Sequence, residues 1–310
     1  MDKNFFKEIR ILDGGMGQEL HAKGLVSKGT LWMTSAVIEE KYHKLIIDTH
    51  LDYINAGAEV ITTSTFSSRS IRMSQNKVSH LFEFANKKSC ELAIKAKEKS
   101  KSEVLIAGSI PAQFDTYKED KRDDKIIHES FMSQIKCIIE FVDFIYLDVI
   151  SSGREIAIAT EIIEKFNKSI LVGIHLSKNG RLPSGENIEQ VINKYKSSSW
   201  IGIISSCVSI EIAEKSINEL KISNLPFGSL LPFKIISPRE QKFCVGIGLQ
   251  TVKSLFSLFS PFKNLANIRT ADNFRDKLVA TYSCSVSEDN QAERFSIPTF
   301  CQLEIPWAFK

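Results

Sequence analysis

The sequence has no C-x-x-C pair and no two adjacent cysteines; Cys90, Cys137, Cys207, Cys244, Cys284 and Cys301 stand far apart. That spacing excludes the compact cysteine frameworks of disulfide-stapled domains and fits free thiols in a reducing compartment. No stretch of about 18 apolar residues occurs, so no membrane-spanning helix is expected. The opening residues, Met1 to Ile11, are charged and lack the apolar core of a secretory leader, so a cytoplasmic protein is expected. A net charge of +3 on 310 residues is too small a field to draw in nucleic acid or an anionic membrane. The fingerprint G-x-G-x-x-G is absent after the first strand candidate, which removes the usual seat of a dinucleotide.

What the chain does have is an alternation of short β-branched runs with longer helical stretches. Strands are predicted at Ile9–Leu12, Glu59–Thr65, Val104–Ser109, Phe144–Ile150, Ile170–Leu176, Trp200–Ser205 and Phe227–Leu231, with a poor eighth at Leu265–Ile268. Helices are predicted at Ser35–Ala56, Ser79–Lys99, Asp123–Phe141, Arg154–Phe166, Glu186–Tyr195 and Ser209–Leu220, then more weakly at Val252–Phe259 and Asp272–Leu278. The strands are nearly continuous apolar runs, which is what burial on both faces requires. Strand and helix in regular succession mean a parallel sheet with right-handed crossovers, and about 250 residues of it suit a (β/α)8 TIM barrel. The expected fold is therefore an α/β barrel over residues 1–280 with an irregular eighth unit, followed by a divergent tail over 281–310.

A barrel of this kind carries its site where the strands end. The first strand ends in Asp13-Gly14-Gly15-Met16-Gly17 and the second in Thr62-Thr63-Ser64-Thr65-Phe66. The third supplies Gly108-Ser109, the fourth Asp148, the fifth His175 and Ser177, and the sixth Ser205, Ser206 and Cys207. Each alone has a bland reading: Asp13 as a turn-former beside glycines, Asp148 as a helix cap, His175 as a locally bonded rim residue, a cysteine as a small buried hydrophobe. Together they gather acids, hydroxyls and a thiol at one rim.

The ordered motifs resemble the homocysteine S-methyltransferase family. Asp13-Gly14-Gly15-Met16-Gly17-Gln18-Glu19-Leu20 is similar to D-G-G-M-G-T-E-L, and Leu31-Trp32 with Ser35-Ala36 to L-W-S-A. The stretch from His50 to Phe66, through Tyr53, Ala56-Gly57-Ala58 and Ile61-Thr62-Thr63-Ser64-Thr65, resembles H-x-x-Y-x-x-A-G-A-x-x-I-x-T-x-T-[YF]. Ala107-Gly108-Ser109-Ile110-Pro111 resembles A-G-S-[IL]-[PG]-P, Leu182-Pro183-Ser184-Gly185-Glu186 resembles L-x-S-G-E, and Cys207 with Glu211 resembles C-x-x-P-E. The likeness runs from about residue 9 to 231.

The resemblance implies a barrel that binds homocysteine and a methyl donor as small-molecule partners and forms methionine. It implies Asp13, Gly14, Thr63, Ser64 and Asp148 as substrate-binding residues, with Asp13 and Asp148 at the amino group and Asp148 standing where the family usually has Glu. It also implies zinc, held by Cys207 and by a cysteine pair after strand eight. A thiol of pKa near 8.5 is only about 3% ionised at pH 7, and a sulfur-ligated zinc binds it as thiolate.

The chain departs from the pattern where that pair belongs: residues 265–275 begin Leu265-Ala266-Asn267-Ile268-Arg269-Thr270-Ala271-Asp272, leaving Cys207 as the recognisable ligand and Asp272 as an oxygen alternative. Leu231-Pro232-Phe233 likewise replaces Y-P-N. Two functions follow: methyl transfer to homocysteine, with a sulfonium such as S-methylmethionine or S-adenosylmethionine favoured as donor, or an impaired homologue that binds a thiol amino acid without turnover. A Schiff-base lyase would need a lysine inside a strand end, for which Lys178 and Lys234 are the candidates.

Overall fold

The computed structural model describes residues 5–8 and 10–230, together with the backbone of Gly246–Leu249. Seven parallel strands follow one another round a barrel: β1 Arg10–Leu12, β2 Val60–Thr62, β3 Leu105–Pro111, β4 Phe144–Ile150, β5 Ile170–Ile174, β6 Trp200–Ser206 and β7 Phe227–Leu230. An eighth strand, β8 Gly246–Leu249, closes the ring between β7 and β1 and is antiparallel to both. Its register sets Gly246 opposite Leu12 and Gly248 opposite Arg10, so β8 enters at the mouth and leaves at the base. The eighth strand expected at Leu265–Ile268, the two helices after residue 250 and the boundary near residue 280 lie outside the described residues.

The apolar runs divide between two layers by alternation along the strands, interrupted where the register shifts on β4–β5 and β5–β6. On β4, Phe144 and Tyr146 point into the barrel with Leu12, Val60, Leu171 and Ile204. Ile145 and Leu147 point outward into the larger layer between sheet and helices, with Phe131, Ile135, Ile156, Val172 and Ile203. A short 3-10 turn, Phe5–Lys7, plugs the base, where Phe6 stands edge-on to Phe144 at 5.6 Å between ring centroids.

The helices form where caps and amphipathic faces predict them, with instructive exceptions. α1 Met16–Ala22 and α4 Ser70–Gln75 are short helices in stretches that carry too few turns for a legible period. The single helix expected over Ser35–Ala56 is broken into α2 Thr34–Ile38, a 3-10 turn Glu40–Tyr42 and α3 His43–Asn55. The break falls at Glu39, which is extended, with its carboxylate held between Lys28 and Lys41 while the His43 ring meets the Val37 carbonyl. α3 stops before Gly57, whose φ of 104° is the left-handed turn that ends helices.

The remaining shell is α5 Phe82–Ser100, α6 Asp124–Ile138, α7 Gly153–Glu164, α8 Ile188–Tyr195 and α9 Ile210–Ile222. Asp123, Ser152 and Asn187 cap α6, α7 and α8 with side-chain acceptors, and Asn187 with Gln190 completes a capping box. No helix among the described residues is long and apolar enough to cross a membrane.

Candidate functional site

β2 ends three residues earlier than its apolar run predicts, because hydroxyls take over from the ladder. Thr63 Oγ1 bonds Thr65 Oγ1 at 2.8 Å and accepts from the Ser109 amide at 3.0 Å, so Thr63 braces β2 against β3. Ser64 is fully buried, its carbonyl accepting from Ser89 Oγ on α5 and its own hydroxyl lacking a hydrogen-bond partner among the described residues. Gly14 begins the turn into α1, its carbonyl accepting from the Met16 amide. Gly17, one turn on, leaves room for the Trp32 ring, which a Cβ would meet at 2.5 Å.

Two carboxylates face each other across this mouth. Asp13 is 1% exposed and accepts from the Thr62 amide at 2.7 Å and from Thr62 Oγ1 at 3.0 Å. Burial pushes its carboxyl up to about 8 against the pull of the Thr62 bonds, and the charge of Asp148 adds to the rise. Asp148 accepts from Ser109 Oγ at 2.8 Å and is pushed up to about 6 by burial, held lower than Asp13 by Ser109, Tyr146 and the Arg69 guanidinium. Both carboxyls are thus held above the ordinary acid range, Asp13 further than Asp148.

Tyr146, from inside β4, sets its hydroxyl between Asp148 and Ser206, 2.7 Å from Ser206 Oγ. Gly173 makes this packing feasible: a Cβ there would stand 2.5 Å from Tyr146 Cε2 and 2.6 Å from both the Leu147 carbonyl and Ser206 Oγ. The strand ends themselves are kinked. Val149, next to Asp148, has φ 59°, and the β4–β5 register shifts between Leu147 and Ile150; Cys207 has φ 54°. A left-handed β-branched residue is a sterically disfavoured conformation of the sort that gathers at functional sites.

Beyond β6, Cys207 is half-buried with its thiol beside the Tyr117 hydroxyl, while His175 Nδ1 donates to the Ser206 carbonyl at 3.3 Å. The Tyr117 and His175 rings meet at a tilt of 52° with centroids 4.5 Å apart. Asp13, Thr63, Asp148, His175 and Cys207 thus belong to one mouth. Ser184-Gly185-Glu186 serves instead as a latch: Glu186 accepts from Ser184 Oγ and from the Gly153 amide, both at 2.8 Å, tying the loop after β5 to the start of α7. Lys178 is exposed on the surface and does not support a buried Schiff base; Lys234 lies outside the described residues.

The described donors around Cys207 do not by themselves fit a zinc ion. Among the described residues no three of His, Cys, Asp or Glu converge, and the thiol's neighbours are a phenol and an imidazole whose Nδ1 already serves Ser206. Cys90 and Cys137 are buried in the helical layer; Cys244, Cys284, Cys301 and Asp272 lie outside the described residues.

Two residues of this site escaped the sequence reading. Arg69 is 2% exposed beside the mouth, its Nη1 donating to the Ala112 carbonyl at 2.6 Å and its Nη2 to Thr116 Oγ1 at 3.0 Å. Its only sequence signal is a lone cation in the run Ser67-Ser68-Arg69-Ser70 at a strand end. Tyr117 had none.

Comparison with known proteins agrees with this architecture. The family model for homocysteine S-methyltransferase matches residues 10–242. The S-methylmethionine–homocysteine S-methyltransferase of Pongo abelii is 29% identical over 174 residues, covering 56% of this chain and 45% of that protein. The homocysteine S-methyltransferase of Escherichia coli strain K12 is 33% identical over 117 residues, covering 34% and 35%. The chain thus spans about half the length, or less, of these curated relatives. Among solved structures, the metallated homocysteine methyltransferase MmuM from Escherichia coli superposes with a TM-score of 0.62 at 21% identity, over 72% of this chain and 83% of that one, a likeness of fold.

Proposed function

The chain belongs to the homocysteine S-methyltransferase family, and from that premise we propose that its mouth binds an α-amino acid bearing a thiol, homocysteine in the first instance, and methylates it from a small sulfonium donor. The observation that carries the reading is the pair of carboxylates at the mouth, Asp13 buried and Asp148 half-buried, both held above the ordinary acid range. Buried acids are poorly solvated, and Arg69 reaches only Asp148; an ammonium seated between the two favours the charged form of both. An α-amino acid supplies that ammonium, and Asp148, one methylene shorter than Glu, sets it close to β4.

In the reaction, a thiolate lone pair attacks the methyl carbon in line; the new S–C bond forms as the sulfonium S–C bond breaks, leaving two neutral thioethers. The thiol proton goes to solvent. Zinc would supply thiolate stabilisation, but the described residues do not hold it. Ionising a thiol of pKa about 8.5 at pH 7 takes about 2 kcal/mol, while positioning contributes about 7–11 kcal/mol in well-oriented systems. Turnover without metal is therefore slow but not abolished.

A second reading, binding without turnover, is favoured by the same donor set, incomplete among the described residues. One experiment separates them: the purified full chain is incubated with homocysteine and S-methylmethionine, methionine is followed by mass spectrometry, and binding of homocysteine is measured by calorimetry. Methionine formed in proportion to protein supports transfer. Binding with no methionine leaves the second reading standing, and no binding at millimolar ligand ends both.

A further inference from the structure

The loop that leaves β3 crosses the mouth, and its anchors are internal. At its start the Arg69 guanidinium grips the Ala112 carbonyl and Thr116 Oγ1, and the Thr116 amide donates to Asp115 Oδ1 at 2.8 Å. At its far end Arg154 donates to the carbonyls of Asp120 at 3.2 Å and Arg122 at 2.7 Å. Between these grips stands Tyr117, with φ 66°, a left-handed conformation that an aromatic residue adopts only where its surroundings impose it. The turn lays its ring on His175, beyond β5, and brings its hydroxyl to Cys207, beyond β6. Tyr117 is 39% exposed, so little packs over it from outside, whereas Arg69 is buried.

We infer that Tyr117 is a cap on the Cys207 thiol and that Arg69 is the positioning residue that holds the cap down, so that a sulfur ligand or reagent reaches Cys207 only when this loop lifts. The inference rests on the geometry of the mouth and is independent of methyl transfer. A gripped loop opens as a local unit without global unfolding, so its opening is readable at the one side chain that it covers.

The test is the rate of iodoacetamide alkylation at each cysteine of the full chain, resolved by peptide mass spectrometry. Cys90 and Cys137, buried in the helical layer, report any general loosening. Tyr117→Phe keeps the ring but drops the hydroxyl, and Cys207 should react about fivefold faster, the factor one net hydrogen bond contributes. Tyr117→Ala, at a half-exposed position, should give about tenfold or more. Arg69→Lys keeps the charge but not the fork, and Thr116→Val removes one of its two bonds at little risk to folding; both should speed Cys207 alone. Unchanged alkylation at Cys207 in Tyr117→Ala overturns the cap. A rise shared equally by Cys90 and Cys137 in both Arg69→Lys and Thr116→Val overturns the positioning role.

Discussion

If an ammonium sits between Asp13 and Asp148, binding must expel a proton, and the amount is fixed by the two acids. With Asp13 at about 8 and Asp148 at about 6, about nine-tenths of the first and about a tenth of the second are protonated at pH 7. A ligand that binds only the doubly charged pair therefore releases about one proton at pH 7, nearly two at pH 5 and close to none at pH 9. The price at pH 7 is about 1.4 kcal/mol, so affinity should rise about tenfold between pH 7 and pH 9. Methionine is the ligand to use, because it carries the same amino-acid head with no thiol to ionise. Calorimetry at pH 7 in buffers of differing ionisation enthalpy gives the proton count as the slope of apparent enthalpy against buffer enthalpy. Asp13→Asn keeps an acceptor for the Thr62 amide and should cut the count to about a tenth of a proton, with weakened binding. Tight binding of methionine with a slope of zero, or a slope that Asp13→Asn leaves unchanged, would refute the ammonium seat.

Three further outcomes follow from the same geometry. Asp13 is raised above its unfolded value, so the native state holds the extra proton between about pH 4 and pH 8, and stability of the ligand-free protein should fall as pH rises through that window; at pH 8 Asp13→Asn should be more stable in urea than the parent by about 1–3 kcal/mol. His50 behaves oppositely: fully buried with neither ring nitrogen hydrogen-bonded, it is held down to about 3 by burial, so stability is lost as pH falls below about 6.5, and His50→Leu should flatten that acid limb of the urea profile. Gly173→Ala should cost about 1–3 kcal/mol and disturb the tyrosine absorbance of Tyr146, because its Cβ strikes backbone at Leu147 as well as the ring; a melting temperature equal to the parent's would count against the packing described for β5.

The barrel was legible in the sequence because burial on two faces writes apolar runs that turn signals cannot disguise; Phe144 to Ile150 is such a run and forms β4 as expected. The rim acids were legible because they stand at the ends of those runs. Lost were features set by single residues rather than periods: the break at Glu39, the left-handed kinks at Val149 and Cys207, and the inward reach of Arg69 and Tyr117. Kinks of that sort depend on what the neighbouring strands leave room for, and Gly173 beside Tyr146 belongs to a different strand from the residue that needs it. Ser184-Gly185-Glu186 taught the reverse lesson, since a motif noticed for its resemblance proves to be a brace between two loops.

The direction of the closing strand decides where a ligand placed directly after it would stand. In a regular (β/α)8 barrel the eighth strand runs with its neighbours and delivers its following residues to the rim. Here Gly246-Ile247-Gly248-Leu249 runs against both β7 and β1, with Leu249 opposite Phe227 at the start of β7. Its C-terminal end is therefore at the base, on the opposite pole from Asp13, Asp148 and Cys207. Strand pairing tolerates either direction, and a short Gly-rich strand with few side chains to bury has little to enforce one. A cysteine pair placed directly after this strand, for example by replacing the residues that follow Leu249, should not restore zinc to Cys207. Stoichiometric zinc bound by such a variant and lost again in Cys207→Ser would show instead that the strand reverses to the parallel direction.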